Sequence, residues 1–105
     1  MAQFIAYKNP NNRSKKLYPL LLDIQSNLLE ELRTTIVIPL SPSSIASPSA
    51  ITKLCPHIDI EGKSYIALTQ QIAGIDRSSL GKEVYDLSAY RSEVIAALDF
   101  VISGI

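Results

Sequence analysis

The residues that could do chemistry are few in this chain, and they do not form a catalytic grouping. One cysteine and one histidine, Cys55 and His57, lie close together in "LCPHIDI", residues 54–60. One Cys and one His are too few ligands for a zinc site, and a lone thiol closes no internal disulfide. His57, between Pro56 and Ile58 in a strand-like run, reads as a packing or surface residue rather than a catalyst. Cys55, between Leu54 and Pro56, reads as buried and structural, because an isolated buried Cys behaves as a small hydrophobe. Asp23 with Asp59, or Glu30 with Glu31, can be paired on paper as acid and base. Carboxylates are solvated surface groups far more often than catalysts. The four glycines are scattered singly, so no phosphate-cradling loop exists. Arg13, Lys15 and Lys16 make a small basic cluster that reads as a solvated loop. The expectation is a protein that binds rather than catalyses, without metal or cofactor.

Bulk composition narrows the class. A length of 105 residues fits one domain, residues 1–105, and 47% hydrophobic residues suffice for a core. Ten basic residues balance ten acidic ones. A protein that neutralises phosphates usually carries a basic excess, so no direct nucleic-acid partner is expected. "MAQFIAYKNP" lacks the apolar run of a signal peptide, and no stretch approaches the ~20 apolar residues of a membrane span. The single thiol fits a reducing compartment. These features predict a soluble, cytoplasmic protein without a membrane partner.

The elements that would position any site follow from pattern. "QFIAY" (3–7) is short and rich in strand formers, and "KNPNNRSKK" after it is turn chemistry, giving strand, loop, strand. In "LYPLLLDIQSNLLEELR" (17–33), Leu21, Ile24, Leu28 and Leu32 match a helical stripe, with Pro19 tolerable in a first turn. "TTIVIPL" (34–40) is a strand by β-branching, and Pro39 should place its end at an edge or outside the ladder. "SPSSIASPSA" (41–50) reads as a loop. "HIDI" and "KSYIAL" around Glu61-Gly62 form a hairpin, and "IAGID" is a further strand. Beyond Ser88, a plausible N-cap, Val94, Ile95, Leu98, Val101 and Ile102 repeat as one apolar helix face. Ser92, Ala96, Asp99 and Ser103 form the opposite, small and polar one.

Several of these stretches, in this order, resemble the CcdB family, the toxins of CcdA/CcdB toxin–antitoxin modules. They are "QF..Y" at 3–7, "LDIQS" at 22–26, "VIPL" at 37–40, "LCPHIDI" at 54–60, "LTQQIA" at 68–73 and the closing "GI". The match runs from end to end of the chain. It implies a mainly β fold: a small antiparallel SH3-like barrel of the CcdB/MazF/PemK type, with a small extra sheet and one C-terminal α-helix. It also implies that "LYPLLLDIQS" is a strand, against the periodicity, and a buried strand can indeed be continuously apolar.

The resemblance further implies a two-fold homodimer that binds the dimerisation domain of the DNA gyrase A subunit and traps the cleaved-DNA complex. A CcdA-type antitoxin, whose disordered tail folds on binding, would neutralise it. Family positions carry the gyrase contact onto Gly104 and Ile105 at the helix tip, with Ser103 and Asp99 along the same polar face. They also carry it onto Gln3, Phe4, Tyr7, Ser26 and Leu28, although Phe4 reads equally as core. Where well-known members have Trp before the terminal Gly-Ile, this chain has Ser103, which leaves the gyrase contact to its neighbours. The alternatives are a MazF-like endoribonuclease on the same barrel and a non-toxic relic that only binds antitoxin.

Overall fold

The longest strand organises the molecule. In a computed structural model that describes residues 3–45 and 53–104, β3 (Thr34–Pro42) takes its extended form from the β-branched run "TTIVI". It pairs along one edge with β2 (Leu20–Asp23). Its other edge is shared: β6 (Ala73–Asp76) pairs with Thr34–Val37, and β5 (Lys63–Ala67) pairs with Leu40–Pro42. With β1 (Ile5–Lys8), β4 (His57–Ile60) and β7 (Glu83–Asp86), this gives one curled antiparallel sheet of order β4-β5-β3-β2-β1-β7. The small extra sheet expected beside the barrel is not separate among the described residues: β6 joins the one sheet by pairing with β3. One helix, α1 (Arg91–Ser103), follows.

Pro39 corrects an expectation. It lies inside the ladder, opposite Leu21. The N–H of Ile24 donates to the Ile36 carbonyl, and bonding in an antiparallel pair alternates, so Pro39 directs its nitrogen to the other edge. There β3 passes from one partner to the next, and no ladder N–H is required. The Pro39 carbonyl accepts from Leu68 N–H at 3.0 Å.

The stretch 17–33 is not a helix. Leu20–Asp23 form the strand that the family resemblance implies, paired with β1 on one side and β3 on the other. A 3₁₀ turn, Asn27–Leu29, follows. The hairpin β4–β5 forms as expected. Glu61 (φ 49°) and Gly62 (φ 82°) both adopt the positive φ that a tight two-residue connection demands. Of the expected loop 41–50, Ser41 and Pro42 belong to β3, and residues 46–50 lie outside the described residues.

Ser88 does not cap α1. It opens a 3₁₀ turn, Ser88–Tyr90, and its N–H donates to the Asp86 carboxylate at 2.8 Å. The helix begins beyond Tyr90, whose hydroxyl accepts the Asp59 N–H at 3.1 Å on the outer strand β4. The apolar face is also redistributed. Val94 is buried in one cluster with Ala6, Leu22, Ile38, Leu40 and Ile58, Leu98 packs against that cluster, and Ala97 is fully buried. Ile95, Val101 and Ile102 are exposed. The five-residue stripe is therefore split between a covered and an uncovered side. Gly104, at φ 75°, ends the helix by donating its N–H to Phe100 O.

Candidate functional site

The first site residues are set by an unusual backbone step. Phe4 has φ 66°, a left-handed conformation rare for a bulky side chain. Hydrogen bonds hold it from both sides: its N–H donates to Asp23 O at 2.6 Å, and its carbonyl accepts from Leu87 N–H at 2.7 Å. The ring is 4% exposed, with the Arg91 guanidinium 5.7 Å above it. Gln3 then lies against the 24–28 segment. Its N–H donates to Asn27 Oδ1 at 2.8 Å and its side-chain amide to Ile24 O at 3.1 Å.

Ser26 caps the 3₁₀ turn, its Oγ accepting from Leu28 N–H at 3.2 Å. Beneath it, the buried carboxylate of Asp23 accepts from Thr35 Oγ1 at 2.8 Å and from Gln25 N–H at 3.2 Å. The turn presents Leu28 to solvent at 94% exposure, with Leu29 and Leu32 also exposed. Gln3, Ser26 and Leu28 therefore form one patch. Phe4 supports it from inside. Tyr7 is buried within β1, opposite Leu21 and near Glu83 of β7, so it too lies below the surface.

The helix end forms a second patch. Asp99 and Ser103 are exposed one turn apart, and the Ser103 hydroxyl donates to the Asp99 carbonyl at 2.7 Å. Gly104 follows in its left-handed cap, and Ile105 lies outside the described residues. Phe100, beside them, is half-buried under the Lys53 ammonium at 5.3 Å. From Arg91, above Phe4, to Ser103 the helix spans about 18 Å along its axis. Ile95, Val101 and Ile102 add exposed apolar surface along the helix. Spacing alone could not mark these three, because it assigns them to the same face as the buried Val94.

The groups with reactive potential differ in burial. Cys55 is buried, its thiol 3.3 Å from Gln70 Oε1, and burial raises its pKa. His57 is exposed on β4. A cleft of about 350 Å³ between the 9–18 loop and β6 is lined by Asn9, Asn11, Ser14, Tyr18 and Gln71, which offer amides and hydroxyls. Among the described residues no group of three or more His, Cys, Asp or Glu could hold a metal ion. No described helix is long and apolar enough to cross a membrane.

The fold recurs in known toxins. A mycobacterial endoribonuclease in complex with its cognate antitoxin superposes with a TM-score of 0.77 at 12% identity, covering 97% of this chain and 94% of that one. A second mycobacterial endoribonuclease gives 0.71 at 12% identity, over 97% and 90%. A structure described as an Mtb toxin gives 0.62 at 14%, over 78% and 90%. At such identities the likeness is one of fold. A family model described as CcdB protein matches residues 3–104, and the chain belongs to the CcdB family.

Proposed function

We propose that this protein is the toxin of a type II toxin–antitoxin module and acts by binding. Its target is the dimerisation domain of the DNA gyrase A subunit, on which it traps the cleaved-DNA complex as a homodimer, and a CcdA-type antitoxin neutralises it. Family membership supports the toxin role. The observation that carries the binding mode is the uncovered side of α1: Ile95, Val101 and Ile102 remain exposed on a helix whose other side is anchored by Val94 and Ala97. Exposed apolar side chains on a rigid element are suited to an interface core. Two such helices meeting near a two-fold axis would place both tips, Asp99, Ser103, Gly104 and Ile105, side by side.

The test adds purified protein to gyrase holoenzyme and supercoiled plasmid, with linear DNA released by detergent and protease as the expected product. A variant lacking Gly104 and Ile105 should fold with an unchanged Tm and release none. Light scattering at micromolar concentration should report a dimer.

The second reading, an endoribonuclease, is favoured by the descriptions of two structural neighbours. The cleft lined by Asn9, Asn11, Ser14 and Tyr18 brings together neutral groups, whereas a second of about 240 Å³ is lined by Lys8, Glu61, Lys63 and Tyr65, so an RNA-cleavage assay decides between the readings. RNA cleavage by the purified protein, without gyrase poisoning, would replace the proposal. Antitoxin binding with neither activity would mark a relic, consistent with Ser103 where well-known members have Trp.

A further inference from the structure

We infer that Arg77 is a positioning residue for the turn at residues 27–34, which presents Leu28, one of the gyrase-contact positions implied by the family resemblance; the inference rests on the gyrase binding proposed above. None of the side chains from 27 to 34 is buried. A surface segment of this length with no anchor in the core relies on hydrogen bonds to fix its shape, helped by the exposed ion pair of Arg33 with Asp76 at 3.4 Å. Yet it presents Leu28, almost wholly exposed, and Leu29 and Leu32, about half exposed.

Arg77 holds the second half of the turn. Its Nε donates to the Leu32 carbonyl at 2.6 Å and its Nη2 to the Leu29 carbonyl at 3.1 Å. Its backbone N–H donates to the Arg33 carbonyl at 2.9 Å. One residue, from just beyond β6, thus binds three carbonyls of a turn more than 40 positions earlier in the chain. The fork geometry of a guanidinium suits two side-chain bonds at once, which a lysine ammonium on a flexible stem cannot reproduce in the same pre-set arrangement. Gln25 reinforces the grip, its amide donating to Thr34 O at 3.1 Å and reaching Leu29 O at 3.4 Å. Gln3 holds the first half through Asn27.

The consequence concerns binding rather than folding. A turn already fixed in shape loses little conformational freedom when a partner covers its leucines, and preorganisation of this kind acts mainly on complex lifetime. Because the segment contributes no buried side chain, loosening it should leave the sheet intact.

The test compares Leu28→Ala, Arg77→Gln and Arg77→Lys in the full chain. Three quantities are measured: Tm, amide hydrogen exchange of the free protein, and association and dissociation rates on the isolated dimerisation domain of the gyrase A subunit. Arg77→Gln should leave Tm within about 2 °C, and speed exchange at the Glu30 and Leu32 amides, which close the turn. It should raise the dissociation rate about tenfold with little change in association. Arg77→Lys should fall between Gln and the native protein. Unchanged exchange and dissociation in Arg77→Gln would overturn the inference. So would faster exchange across the whole sheet together with a large fall in Tm, because Arg77 would then be a general structural residue. If Leu28→Ala binds as tightly as the native protein, the docking role of the turn fails. Exchange in the free protein still reports the clamp independently in that case.

Discussion

The two halves of α1 have similar composition and opposite surroundings. From Arg91 to Ala97 the helix is built into the fold: Val94 joins the core of the sheet, Ala97 is fully buried, Tyr90 at its start receives an N–H from β4, and Arg91 lies over Phe4. From Asp99 to Gly104 it carries equally apolar residues, Val101 and Ile102, into solvent. The same residue types are thus structural at one end and available at the other. Burial, not hydrophobicity, separates the residues that stabilise the fold from those left uncovered. Ile95 on the inner half and half-buried Phe100 on the outer half blur the boundary between the two ends.

Substitutions along the helix should reproduce this division. Val94→Ala, at a position 1% exposed, removes two methyl groups from a packed site. It should cost about 2–3 kcal/mol, or about 10–20 °C in Tm by calorimetry. A loss below 1 °C would erase the contrast. Ile102→Ala, at 84% exposure, should change stability by less than ~0.5 kcal/mol. It should weaken gyrase A binding by about 2 kcal/mol, as measured by titration calorimetry, if the outer half is an interface hot spot. Tyr90→Phe tests the entry to the helix. Losing the hydroxyl that accepts Asp59 N–H should cost about 0.5–1.5 kcal/mol in urea unfolding and speed exchange of that amide.

The smallest effect is expected at low pH. Backbone and hydroxyl hydrogen bonds from Ser88 and Ser78 hold the carboxyls of Asp86 and Asp76 below the usual range. A lowered folded pKa means stability that is present above the unfolded value, near ~3.9, and is lost as pH falls through the folded value. Urea midpoints should therefore drop below about pH 4, and drop less in the Asp76→Asn/Asp86→Asn double variant.

How much of this was legible in the sequence depends on whether neighbours in the chain or neighbours in space decide the outcome. The β4–β5 hairpin was readable because Glu61-Gly62 encodes its own turn, and β3 because five consecutive residues favour extension. Buried Cys55 was readable from its apolar flanks. The 17–33 stretch misled because Leu21, Ile24, Leu28 and Leu32 repeat at helical spacing, while pairing with β1 and β3 determines the conformation of Leu20–Asp23. Leu28 and Leu32, half of that apparent stripe, are exposed. The site was less legible still. Nothing local tells Val94 from Val101, and the clasp of Arg77 on Leu29 and Leu32 joins segments that no pattern connects.

Pro39 has a last consequence, for registration. A one-residue slip in strand pairing would turn every inward side chain outward. Along most of β3 such a slip would meet only ordinary N–H and carbonyl groups. At Pro39 it meets a position that can donate nothing, and β6 ends its pairing at Val37 while β5 begins at Leu40. Sliding either strand across that point would leave a ladder acceptor without its donor. The residue therefore serves as a bookend between two shelves: it keeps β5 and β6 each on its own side, and keeps Ile38 and Leu40 facing the core.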